Sequence, residues 1–77
     1  MPQITIETTV EEQEAMLKVI KAHDGEVLPV RVLADEAGLR QSRARYVIVD
    51  LLEADKITRQ AHKAYNKHYV RYSYSVL

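Results

Sequence analysis

At 77 residues the chain reads as a single domain over residues 1–77, and a domain of this size buries only roughly 60% of the surface its unfolded form exposes, too little for a large lidded active site. A hydrophobic share of 47% with two glycines and two prolines argues against disorder and against a low-complexity linker. The absence of cysteine excludes a disulfide scaffold, cysteine-ligated zinc, iron–sulfur clusters and thiol catalysis, and it fits a cytoplasmic protein.

Gln3 to Glu7 alternate polar and β-branched apolar residues, which predicts a short N-terminal strand or extended arm. Thr9 followed by Glu12 has the form of a capping box, with Thr8 and Glu11 offering the same one residue earlier. Glu11, Glu12 and Glu14 suit the positive end of the helix that follows. Val10, Leu17 and Ile20, with Met16 alongside, give it an apolar stripe, and it should run to about His23 before the Asp24-Gly25 turn. Val27-Leu28 can form a strand stub. Pro29 fits the first position of a second helix carrying Val30, Leu33 and Ala37, which Gly38 ends in the left-handed conformation.

A third helix is expected from within Arg40–Ser42 to about Ala54. Ala44, Val47, Ile48, Leu51 and Leu52 form its apolar face, and Arg43, Tyr46, Asp50 and Glu53 lie on the other side. Residues 57–61 and 68–76 then read as two strands, with residues 62–67 as a polar hairpin tip. Tyr72 and Tyr74 share one face of the second strand with His68, Val70 and Val76, and core packing is their expected role. No run approaches the roughly 20 apolar residues of a membrane span, and no signal peptide is visible, so no membrane partner is expected.

The even overall charge hides a division. Residues 1–38 hold three bases and eight acids, residues 39–77 eight bases and three acids. Such asymmetry points to a polyanion on one side of the fold or to ordinary solvated charge. On a helix, opposite charges pair at spacings of three or four. Lys18 has Glu14, Lys21 has Asp24 and Lys56 has Glu53 at such spacings, whereas Arg40, Arg43 and Arg45 have no acid at such a spacing on their own helix. Their counter-charge is a nucleic-acid backbone, an acid from elsewhere in the fold or a second subunit, or solvent alone.

The stretch Leu33-Ala34-Asp35-Glu36-Ala37-Gly38-Leu39-Arg40-Gln41-Ser42-Arg43-Ala44-Arg45, continuing to Leu51-Leu52-Glu53-Ala54-Asp55-Lys56-Ile57, resembles the helix-turn-helix of bacterial winged-helix DNA-binding regulators. The match covers residues 33–57, and the rest agrees in element order. The resemblance implies an α+β winged helix-turn-helix: three helices plus a C-terminal β-hairpin wing. It also implies double-stranded DNA binding, with the helix at about 41–54 in the major groove and the hairpin 57–76 as wing. Arg40, Gln41, Ser42, Arg43, Arg45 and Tyr46 are the candidate contacts at the start of the third helix, through arginine to guanine, glutamine to adenine and hydroxyls to phosphate. Lys63, Tyr65, Asn66 and Lys67 are the candidates at the hairpin tip.

The sequence departs from the family pattern at Arg40, where serine or threonine usually caps the helix, so Ser42 is the alternative cap. Asp55 stands where glycine usually precedes the wing, and Asn66 is the wing's candidate for positive φ. The three histidines form no zinc pattern, and no serine–histidine–acid set or phosphate loop is present, so neither cofactor, metal nor enzymatic activity is expected. The role implied is a small transcriptional regulator or an accessory factor of a mobile element or of replication, compatible with a homodimer on a two-fold site. The alternative is a winged-helix docking module for a protein partner, working through the acidic surface around Glu11, Glu12 and Glu14.

Overall fold

The computed structural model describes residues 7–63 and 70–77, apart from the side chain of Lys63. Helix α1 spans Val10–Ala22, α2 Val30–Ala37 and α3 Gln41–Glu53, followed by strands β1 (Ile57–Lys63) and β2 (Val70–Val76). The strands pair antiparallel from Ile57 opposite Val76 to Lys63 opposite Val70. An isolated bridge joins Val27 to Ser73, so the expected strand stub rests on the outer side of β2. Three helices, a stub and a hairpin make an α+β winged helix-turn-helix arrangement.

Local chemistry sets each boundary. The α1 capping box is complete: the Glu12 N–H donates to Thr9 Oγ1 at 3.1 Å and the Thr9 N–H to Glu12 Oε1 at 3.0 Å. Helices α2 and α3 end in the same way. Gly38 takes φ +71° and the Leu39 N–H returns to the Ala34 carbonyl at 2.9 Å; Asp55 takes φ +57° and the Lys56 N–H returns to Leu51 at 3.0 Å. In each case a left-handed residue lets the next amide satisfy a carbonyl of the last turn. Pro29 is the N-cap of α2 rather than its first helical residue, which Val30 provides. Ser42 does not cap α3. Arg40 occupies that position in extended conformation and its side chain makes no capping bond.

The core is one cluster. Met16 and Ile20 of α1, Leu33 and Ala34 of α2, and Ala44, Val47, Ile48 and Leu51 of α3 are buried with Ile57 and Tyr74 of the hairpin. Small Ala34 and Ala44 let α2 and α3 approach, which fixes the angle at which α3 leaves the turn. Val10 departs from the expected stripe. It is 68% exposed at the first residue of α1.

The hairpin is tied at its root. The Gly25 N–H donates to the Tyr74 carbonyl at 3.0 Å, and the Leu77 N–H to Lys56 at 3.0 Å. Tyr74 is core, as expected, and Tyr72 is half-buried with the Arg59 guanidinium 4.5 Å above its ring. Ser73, on the opposite face, is also buried, because the stub covers it; its hydroxyl shares a 2.8 Å hydrogen bond with His62 Nε2. His62 and Lys63, expected at the tip, continue β1. The N-terminal strand expected at residues 3–7 lies outside the described residues except for Glu7, which is in neither helix nor strand. Among the described residues no helix is long and apolar enough to cross a membrane.

Candidate nucleic-acid interface

Helix α3 presents four sides. At about 100° per residue, Ala44, Val47, Ile48 and Leu51 fall on one side, and all four are buried. Ser42, Tyr46, Val49 and Glu53 cluster diametrically opposite, Arg45 lies between them and Gln41, and all five are exposed. Arg43 and Asp50 lie on one flank. Gln41 lies on the other, beside Arg45.

The first flank is closed by the protein itself. Arg43 donates from Nε to Glu12 Oε2 and from a terminal nitrogen to Glu12 Oε1, both at 2.7 Å, and again to the Glu7 carbonyl at 2.8 Å. This fork-on-fork geometry is the strong form of an arginine–carboxylate pair. The Arg43 hydrogen bonds, followed by the Thr9 backbone N–H, hold the Glu12 carboxyl down at about 2, and Glu12 in turn raises Arg43. One step along, the Thr8 hydroxyl donates to Asp50 and accepts from Gln13 Nε2 at 2.8 Å. Residues 7–9 thus lie as an arm against α3, sewn at two points.

The second flank is open. Between the start of α2, the start of α3 and β2 lies a groove of about 530 Å³, and Gln41, Arg45, Arg31 of α2 and Arg71 of β2 line it, with Tyr72 and Val30. All eleven side-chain carboxylates of the chain are among the described residues. None lies within 4.0 Å of Arg31, Arg45 or Arg71; the pairs that form are Glu12 with Arg43 and Glu26 and Glu36 with His23. Three arginines with no carboxylate within 4.0 Å therefore line one concave surface. Such a surface attracts an extended or multivalent anion. No family model, curated protein or solved structure matches this chain.

The residues expected at the interface separate accordingly. Gln41 and Arg45 line the groove, while Ser42 and Tyr46 stand on the outward face, Tyr46 45% exposed. Arg40 is exposed at the N-cap without a carboxylate within 4.0 Å. Arg43 corrects its expectation as a free contact, because its counter-charge is internal and its side chain is 34% exposed against 16% for Glu12. The side chain of Lys63, and Tyr65, Asn66 and Lys67 entirely, lie outside the described residues.

Arg31 and Arg71 escaped the sequence reading. Arg31 belongs to the acidic half of the chain and has Asp35 at helical spacing, a pair that does not form. Arg71 carries no local signal beyond its place in the basic half. Among the described residues no group of three metal-ligating side chains occurs.

The acidic half has its own cluster. His23, at the end of α1, meets Glu26 through Nδ1 at 3.0 Å and Glu36 of α2 through Nε2 at 2.8 Å. The hydrogen bonds to Glu36 and then to Glu26 raise the pKa of His23. This bridge lies on α1 and α2, whereas the arginine groove involves α2, α3 and β2.

Proposed function

We propose that this protein binds double-stranded DNA, with the outward face of α3 in the major groove and the β1–β2 hairpin as a wing along the neighbouring backbone. The observation that carries the reading is the convergence of Arg31, Arg45 and Arg71 on one groove with no carboxylate near any of them. Like charges held together repel, and a phosphate backbone is the ligand that relieves three of them at once. Gln41 and Arg45 stand where base edges and phosphates meet, Arg40 at the helix start adds a further phosphate contact, and Tyr46 and Ser42 offer hydroxyls.

The biological role that fits is a small transcriptional regulator or an accessory factor of a mobile element or of replication. Two copies on a two-fold site would double a modest single interface.

Fluorescence-polarisation titration of random duplex DNA at several salt concentrations tests the reading. The logarithm of affinity should fall linearly with the logarithm of salt concentration, by about 0.9 per phosphate neutralised. Absence of binding even at low salt overturns it and favours a docking module for a protein partner.

A further inference from the structure

Val49 is a β-branched apolar residue in the middle of α3, 46% exposed. Helix propensity does not favour valine there. A single exposed valine is ordinary on a protein surface; its position makes this one informative. It lies one turn beyond Arg45 on the face opposite the core, with Tyr46 beside it and Ser42 one turn before Tyr46. That face borders the arginine groove through Arg45.

We infer that Val49 reads a thymine, its γ-methyl groups packing on the C5-methyl that thymine displays in the major groove. The inference rests on the duplex-binding reading and adds to it the identity of a base. The chemistry is apolar contact with the one methyl group that any base-pair edge presents in that groove. The spacing fits: four helical residues advance about 6 Å along the axis, and two base steps advance about 6.8 Å. The thymine should therefore lie about two steps from the base or phosphate that Arg45 meets. Glu53 closes the face at its C-terminal end, so a negative charge confines base contact to the turns before it. The flanking cations favour DNA as occupant of this face over a second copy, whose own Arg45 would have to approach.

The test begins with selection of bound duplexes from a random pool. Each thymine of the selected site is then replaced singly by deoxyuridine, which removes the methyl group alone, and affinity is read at one fixed salt concentration. One replacement should weaken the wild-type protein about fourfold, the worth of one buried methyl. Val49→Ala should bind the thymine and deoxyuridine duplexes equally while keeping the wild-type salt dependence, and Val49→Thr, which retains a γ-methyl, should keep part of the discrimination. Both substitutions are at an exposed helix position, and a wild-type melting curve checks their fold.

Equal wild-type affinity for thymine and deoxyuridine at every position overturns the inference and leaves duplex binding standing. So does selection that enriches no common sequence, or discrimination that survives Val49→Ala. A Val49→Ala variant that dissociates a wild-type dimer in sedimentation, with methyl discrimination intact, assigns the face to self-association instead. Failure of the wild-type protein to bind any duplex removes the functional reading and this inference together.

Discussion

Arg43 and Arg45 are two residues apart on one helix and meet opposite fates. Arg43 turns toward α1, where Glu12 and the Glu7 carbonyl take all the donors it aims there. Arg45 turns toward the hairpin, where it joins Arg31 and Arg71 around a groove without a carboxylate. The difference teaches that charge on a candidate recognition helix is not one quantity. Part of it holds the helix in place, and part has no carboxylate partner within the described residues. An arginine with a bidentate internal partner is a positioning group, whereas arginines without a carboxylate partner keep their charge available to an external anion.

The largest effect that can break this comparison is on DNA affinity. Replacing Arg31, Arg45 and Arg71 together by alanine should lower duplex affinity by more than about tenfold at low salt and reduce the salt slope by about 3, near one per phosphate contact. Thermal stability should hardly move, since exposed substitutions away from special features stay within about 0.5 kcal/mol. A triple variant that binds as well as wild type would show that the groove is not the interface.

Arg43→Ala should do the reverse. It strands the Glu12 carboxylate and frees the arm, so the melting temperature should fall clearly while the salt slope stays that of the wild type. A drop in slope equal to that of Arg45→Ala would return Arg43 to the binding surface.

The two left-handed residues that bound α3 sharpen the comparison through the backbone. No atom lies within 4 Å of where a Gly38 side chain would point, so Gly38→Ala should cost only the conformational penalty, about 1 kcal/mol in chemical denaturation. Asp55 already bears that penalty at φ +57°, and Asp55→Gly should return a few tenths to about 1 kcal/mol. Destabilisation by Asp55→Gly would show that the aspartate side chain compensates for its strain.

The smallest effects are in the pH dependence, and the two charge clusters give opposite signs. The Glu12 carboxyl is held down to about 2 from an ordinary 4.5. Its contribution to stability is therefore present above the ordinary value and lost as pH falls toward the folded one. His23 is raised from 6.5. Its contribution is full below that ordinary value and lost as pH rises through the higher folded one. Denaturation midpoints measured across pH should lose the acid limb in Glu12→Gln and the neutral limb in His23→Gln.

Much of the fold was legible because its punctuation is local. Thr9 with Glu12, Gly25, Gly38 and Asp55 each act within a few residues, and each sits in the structure where its chemistry placed it. The stub at Val27 was legible too, from its position between a turn and a proline. The candidate site was legible only in part, because its decisive facts are long-range. The partner of Arg43 lies 31 residues away, beyond any spacing rule for a single helix. The local pairs that such a rule offers, Lys18 with Glu14, Lys21 with Asp24 and Lys56 with Glu53, do not form; exposed pairs of this kind are worth too little to hold long side chains. Arg31 and Arg71 come to line one groove with Arg45 only when the hairpin packs back on α1 and α3.

The Glu12 carboxylate serves two masters: its Oε1 accepts from the Thr9 amide that opens α1, and the same atom, with Oε2, grips Arg43 of α3. Such a shared atom leaves a historical trace. Glutamine at this position would keep the cap and lose the charge, so a lineage should tolerate it chiefly where the arginine has also gone. Covariation between positions 12 and 43 in descendants of this chain, with little drift at either alone, is the signature to expect.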